Sequence, residues 1–320
     1  RYDLQAVNEY TIFGNDGEPI DVDREESIEN ANGTDLGLFL SLERPLGIWQ
    51  FNFGLRGDGV WSRNTGGFFG DRSTFNSSIS GFAAAGLEIA PDLEVTAQVA
   101  RGFRDPLLSD RYYRGESGRG FITGNPDLEP ETSLQLDLAL RYSPDSVAVG
   151  LYVYRYRISD LIERFKLGNN YFFRNRGESE ITGIELETSF VIGNGLELNA
   201  GAHYLRGEVV DDDSPTDGVP APGVFMTLRG SPGTRGWWMA RGAAYARDDR
   251  PGPTEQEIPG SAVLDAGAGF SMADRLEVSL LGRNLLDRAL LASSGLVAVL
   301  STGRSFQLVL RGRLEGGLNF

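Results

Sequence analysis

The sequence predicts an all-β fold, an antiparallel barrel that crosses a membrane, and three observations predict it. Runs of about ten residues alternate apolar and polar side chains, the period-two mark of a strand with one apolar face. Tight turns and long polar connections follow one another in strict alternation, so every long loop lies at the same end of an up-and-down meander, as in outer-membrane barrels. The runs are also as long as a tilted membrane strand must be, about nine to eleven residues, whereas strands of soluble sandwiches average nearer five or six.

Taken in order, the chain opens with a strand over 1–13 and an acidic, polar loop over 14–33. A hairpin follows, TDLGLFLSLER against IWQFNFGLRGD, joined at Pro45, Leu46 and Gly47. In its second arm Trp49, Phe51, Phe53 and Leu55 share one face, and Gln50, Asn52, Gly54 and Arg56 the other. A loop over 59–78 leads to strands over 79–89 and 93–102, and a polar excursion of about thirty residues leads to strands over 132–142 and 147–158. Such an excursion is uncommon between strands of a compact soluble domain. A loop over 159–177 precedes strands over 178–190 and 196–206, and an acidic loop over 207–220 precedes strands over 221–229 and 236–247. The last strands are expected over 258–270, 275–284 and 303–313, with loops over 248–257 and 285–302. The total is about fourteen, with long extracellular loops and short periplasmic turns. Leu134, Leu136, Leu138 and Leu140 oppose Gln135, Asp137 and Arg141, a pattern that one sandwich strand with a wet face would also show.

Composition narrows the function classes. Forty-two glycines and 10% aromatic residues are unlike a helical protein, and no apolar run approaches the roughly 20 residues of a membrane helix. A mean hydropathy of -0.24 reads as soluble, but a barrel reads the same way because every second residue faces a polar lumen. The formal charge of -15 argues against nucleic acid as a partner, since phosphate contact needs basic patches. With no cysteine there are neither disulfides nor thiolate metal sites. Trp49, Trp61, Tyr142, Tyr154, Tyr156, Trp237, Trp238 and Phe270 fall mostly near strand ends and are expected to form interfacial girdles, although aromatics favour strands in any case. The terminal Leu318, Asn319 and Phe320 match the Phe-ending C-terminus of such barrels.

Little points to catalysis, and no cofactor is expected. His203, the only histidine, shares its face with Glu197, Asn199 and Gly201 and so points to the lumen as a hydrogen-bonding filler, which excludes a histidine-rich zinc site. No nucleophile is marked, so an enzyme is not expected. Asp211, Asp212, Asp213 and Asp217 lie in one loop and form a calcium candidate, since Ca²⁺ takes six to eight oxygens, but clustered loop acids are ordinarily just solvated. The long loops mix aromatics with guanidinium groups, including Phe68 and Phe69. Arg111, Tyr112, Tyr113, Arg114, Arg119, Phe121, Tyr171, Phe172, Phe173 and Arg174 are the expected ligand contacts. Stacking and charge-assisted hydrogen bonds suit a planar, anionic, aromatic ligand; packing between loops, or contact with lipopolysaccharide phosphates, explains any single one equally well.

The words GFRDP at 102–106 and GNPDLEPETS at 124–133 resemble the signature of the TonB-dependent outer-membrane receptors. YRISDLIERF, YFFRNRGESEITGIELE, RNLLDRALL and GRSFQLVL resemble, in order, the family's following hairpin and its ending. The resemblance implies an outer-membrane barrel of a Gram-negative bacterium, of twenty-two strands around an N-terminal plug, that takes up a scarce chelate, most of all a ferric siderophore. Its implied partners are that small-molecule chelate, outer-membrane lipid and lipopolysaccharide, and the TonB energy-coupling complex acting through the plug. Asp105 departs from the small or apolar residue usual at its position. No plug and only about fourteen strands are present, and Arg1 follows no initiating Met, so residues 1–320 are expected to be the C-terminal portion of a receptor barrel. The alternative is a passive fourteen-stranded porin.

Overall fold

The computed structural model describes residues 1–312 apart from 119, 194, 274, 275, 292, 293, 296 and 297. Arg119 and the terminal Leu318, Asn319 and Phe320 therefore lie outside the described residues. The strands are β1 (Tyr2–Phe13), β2 (Pro19–Leu46), β3 (Trp49–Asn64), β4 (Arg72–Ala90) and β5 (Leu93–Arg104). A single helical turn, α1 (Leu108–Tyr112), and the short β6 (Arg114–Ser117) and β7 (Gly120–Thr123) come next. Then follow β8 (Glu131–Tyr142), β9 (Val147–Leu167), β10 (Asn170–Val191), β11 (Leu196–Val209), β12 (Ser214–Pro215) and β13 (Gly223–Gly230). The last are β14 (Gly236–Tyr245), β15 (Ser261–Ala273), β16 (Leu276–Arg283) and β17 (Ser305–Gly312).

Setting aside the short β6, β7 and β12, the ladder is a fourteen-stranded antiparallel meander in which each strand pairs with its neighbour in sequence. Among the described residues β1 pairs only with β2, and β17 only with β16.

Burial assigns the two faces. On β8 the leucines at 134, 136, 138 and 140 are exposed, whereas Gln135 and Asp137 are half-buried. Leu36, Leu38, Leu40 and Leu42 of β2 are exposed in the same way. A soluble sandwich would bury the leucines; here they form the outer wall and the polar stripe faces inward, the inversion that a bilayer requires. Trp49, Phe51 and Phe53 stack along the wall near its turn end, and Trp61 packs on Phe75 nearer the loop end. Tyr154 and Tyr156 depart from the girdle expectation. They stack at 4.9 Å and donate inward, Tyr154 to Glu185 at 2.6 Å and Tyr156 to Asp137 at 3.1 Å, because a phenol with a carboxylate in reach is better satisfied inside.

Three loops expected from polarity are largely strand. The loop over 14–33 shrinks to a turn before β2, that over 59–78 to residues 65–71, and that over 159–177 to Gly168 and Asn169. Gly168, at φ 64°, takes the left-handed backbone that so tight a reversal needs. Twenty-two residues of β10 span about 70 Å at roughly 3.3 Å each, so these hairpins rise well beyond a hydrocarbon core of about 30 Å. Above the bilayer a strand needs cross-strand partners rather than alternation. Arg24 with Glu9 and Arg174 with Glu163 supply them.

Candidate functional site: a folded loop over the lumen

The excursion over 105–130 is an ordered fold-back that ties distant strands together. Asp110 accepts a hydrogen bond from the backbone N–H of Leu107 at 3.1 Å, starting α1. Leu108 and Tyr112 of α1 are buried with Ile28 and Ala31 of β2, and Leu4, Ala6, Phe69 and Tyr113 pack around them. On its return the loop runs antiparallel as β6 and β7, and β7 pairs in parallel with the tip of β10, Phe121 opposite Asn170.

The word GNPDLEP is the clamp that closes this loop. Gly124 donates to the Tyr113 carbonyl at 2.7 Å, and Asn125 to the Asp110 carbonyl at 2.8 Å. A Cβ on Gly124 would lie 2.7 Å from the Arg111 carbonyl group, so only glycine lets the two backbones meet. Leu128 is buried. Asn175 of β10 accepts from the Glu129 N–H and donates to the carbonyls of Glu129 and Asp160, each at 2.8 Å.

The word GFRDP provides the other half. Arg104 pairs with Glu131 and lies 3.8 Å from Asp110. Arg111, 1% exposed, donates to the Pro126 carbonyl at 2.7 Å and sits 3.9 Å from Asp105, which accepts from Asn76 at 2.5 Å. Burial pushes the carboxyls of Asp105 and Asp110 above the ordinary aspartate range, only partly offset by these partners. Asp105 is thus the nearest counter-charge to a buried Arg111, whose Nε and Nη2 meet no hydrogen-bond acceptor among the described residues.

Under the loop's first residues, on the inner face of β2–β5 and β8, lies an open cavity of about 950 Å³. Tyr2, Phe39, Arg56, Phe82, Gln98 and Asp105 are among its lining. Sequence reasoning missed it as a site, although the inward phase of Arg56 was readable from the alternation of β3.

The expected contact residues divide into two groups. Arg111, Tyr112 and Tyr171 are buried inside the loop fold. Arg114 lies over Phe68 at 4.3 Å and Phe121 at 5.0 Å, while Tyr113 donates to the Glu116 carbonyl. Phe172 packs on Phe165 at 5.8 Å, Arg174 lies over Phe165 at 4.6 Å and pairs with Glu163, and the Phe173 carbonyl accepts from Asn125. Arg164 and Phe165, which the composition of the loops did not single out, belong to the same tip.

The four aspartates of the acidic loop turn to separate partners. Ser214 and Arg176 bind Asp212 and hold its carboxyl down at about 2. Asp217 accepts from the backbone and hydroxyl of Thr254, and among the described residues no group of three or more acidic or histidine side chains is arranged to hold a metal. Asp211 lies against Gly177 and Asp213 takes a φ of 54°. His203 donates from Nε2 to the Ala221 carbonyl at 3.0 Å.

A family model described as TonB dependent receptor-like, beta-barrel matches residues 1–285. The chain is 26% identical over 236 residues to the vitamin B12 transporter BtuB of Vibrio vulnificus (strain YJ016), covering 69% of this chain and 33% of that protein. Among solved structures, the copper transporter OprC superposes with a TM-score of 0.77 at 18% identity, over 91% of this chain and 49% of that one. The ferric-catecholate import receptor Fiu from Escherichia coli K12 does so with a TM-score of 0.72 at 16% identity, over 92% and 47%. At these identities the two structures establish the fold alone. The chain spans about a third of the curated relative's length and about half of each structure's.

Proposed function

The chain belongs to the TonB dependent receptor-like β-barrel family, whose members are outer-membrane proteins of Gram-negative bacteria and not enzymes, and from that premise we propose that it forms the wall and outer loops of a receptor for energised uptake of a ferric siderophore. The cargo would meet the loop tips first, pass the folded loop over 105–130 and enter the 950 Å³ cavity, where the Arg56–Asp58 ion pair offers polar contacts and Tyr2 and Phe82 offer stacking. Energy would come from the TonB complex through a plug seated against this inner wall. On the outside, the ion pairs Arg155–Glu180 and Arg206–Glu208, set just beyond the aliphatic wall, would face lipopolysaccharide phosphates.

One observation carries the reading. A 26-residue loop, 105–130, held by a buried arginine and a glycine contact, places Asp105, Pro106 and Leu107 at the edge of a cavity that is lined by both aromatic and charged groups. A fourteen-stranded porin would pair β1 with β17, and no such pair occurs among the described residues.

The relatives are named for vitamin B12, copper and ferric catecholate, so cargo is the quantity to test. The intact gene product would be expressed in an outer-membrane receptor-deficient host and supplied with radiolabelled ferric catecholate, cobalamin or copper. Uptake of the iron chelate alone, abolished by uncoupling the inner membrane, is the expected result. Uptake of cobalamin or copper in its place would reassign the cargo, and uptake that survives uncoupling would overturn the receptor reading.

A further inference from the structure

At the tip of the β9–β10 hairpin, Arg164 and Lys166 stand apart from the other cations near them. Register places them: Lys166 is opposite Tyr171, Arg164 opposite Phe173 and Ile162 opposite Asn175, and directly opposed residues share a face. Asn175 is bonded to Glu129 of the folded loop, and a Cβ on Gly120 of that loop would meet the Tyr171 ring. This is therefore the face turned toward the mouth of the barrel. Arg174 and Arg176, on the opposite face, are both neutralised by Glu163, itself buried.

Arg164 and Lys166 have no such acid. Among the described residues neither makes an ion pair, and the Arg164 Nε is buried with no hydrogen-bond acceptor. What holds them is one buried aromatic ring: the Arg164 guanidinium lies 5.3 Å from the centroid of Tyr171 and the Lys166 ammonium 5.6 Å. A cation stacked on a ring keeps its charge and its outward N–H donors. Two residues along a strand are separated by about 7 Å, so two donors of fixed spacing face the mouth of an otherwise acidic chain of formal charge -15.

We propose that Arg164 and Lys166 form an anion-binding subsite that selects chelates carrying oxyanions over neutral ones, before cargo reaches the cavity. The proposal rests on the receptor reading and names its substrate class: the cargo is a negatively charged chelate whose peripheral carboxylate or catecholate oxygens span the pair. Lipopolysaccharide phosphate is the other source of the same chemistry, and the test separates the two.

Lys166 is the only lysine in the sequence, which gives the site a chemical handle. Full-length protein, extracted from outer membranes in detergent and stripped of glycolipid, would be titrated with a ferric tricatecholate, a neutral ferric trihydroxamate, and lipopolysaccharide. Amine acylation at Lys166 would be read by peptide mass spectrometry in parallel. The ferric tricatecholate is expected to protect Lys166, and R164Q/K166Q to weaken its binding by at least about tenfold, as for loss of charge-assisted hydrogen bonds, while trihydroxamate binding changes less than twofold. R164K should restore most of the affinity, and heat-modifiable gel mobility should be unchanged in every variant. Equal loss for both chelates, no loss for either, or protection by lipopolysaccharide with none by chelate would each overturn the subsite. Binding of the neutral chelate alone overturns the subsite and leaves the receptor standing; binding of neither iron chelate overturns both.

Discussion

Replacing Gly124 by alanine should unfasten the loop over 105–130 while leaving the barrel intact. An ideal Cβ there lies 2.7 Å from both the carbon and the oxygen of the Arg111 carbonyl and 2.9 Å from the Tyr112 nitrogen. Ordinary contact begins near 3.4 Å, so one backbone segment must retreat by about 0.7 Å. The segments are joined by Gly124 to Tyr113 at 2.7 Å and Asn125 to Asp110 at 2.8 Å, and that retreat carries both bonds to the limit of useful geometry. Two backbone hydrogen bonds at about 1 kcal/mol each, with overpacking of about 1–3 kcal/mol, put the cost near 3–5 kcal/mol. That corresponds to a loop-opening equilibrium raised by roughly two to four powers of ten. Hydrogen exchange by mass spectrometry reads it directly. Peptides covering α1, β6 and β7 should exchange faster by that factor, and those within β9 and β10 below Asp160 should not change. Gly118→Ala is the control, because a Cβ there meets nothing within 4 Å. Unchanged exchange in Gly124→Ala, or equal loosening by Gly118→Ala, would refute the clamp.

The remaining expectations concern the buried arginine, the wall and pH. Arg111→Met removes the counter-charge of a half-buried Asp105, leaving Asn76 as its partner, and should destabilise the loop by up to about 3 kcal/mol, whereas Asp105→Asn/Arg111→Met should recover most of that; exchange rates that simply add would deny the coupling. Leu138→Arg places a charge on the lipid face and should reduce folding in bilayers by about 2–4 kcal/mol, while Gln135→Arg, which faces inward, should be tolerated in a urea titration; the reverse order would invert the face assignment. Acid should tighten the loop. Asp105 and Asp110 bind protons more readily folded than unfolded, so their burial penalty is relieved as pH falls from neutrality through their raised values toward the ordinary aspartate range. Asp212 has the opposite sign: its contact with Arg176 and Ser214 stabilises above the ordinary aspartate value and is lost as pH falls through about 2. Loop protection factors, corrected for intrinsic exchange, that fall as pH drops from neutrality toward the ordinary aspartate range would contradict the burial assignment.

Most of the architecture was legible without coordinates. Alternation located all fourteen main strands, since a strand packed on one face must repeat every second residue, and the words GFRDP and GNPDLEP marked the segment on which the mouth is built. Their glycine and prolines are local requirements and so leave a local trace. Three things had no such trace. Period two reads the same whichever face is turned to water, so Leu134 to Leu140 became an outer wall only when thirteen neighbouring strands curved the polar stripe inward. Polarity reported residues 14–33 and 159–177 as loop, because above a bilayer strands are held by ladders to distant partners rather than by burial. The separation of Arg174, neutralised by Glu163, from Arg164, which lies over Tyr171 without an ion pair among the described residues, depends on register across the hairpin and on a loop arriving from some forty residues upstream. Period and turn chemistry are properties of neighbouring residues and can be read along the chain. Which charges meet a partner is decided by contacts between residues far apart in it, and only the folded arrangement brings those together.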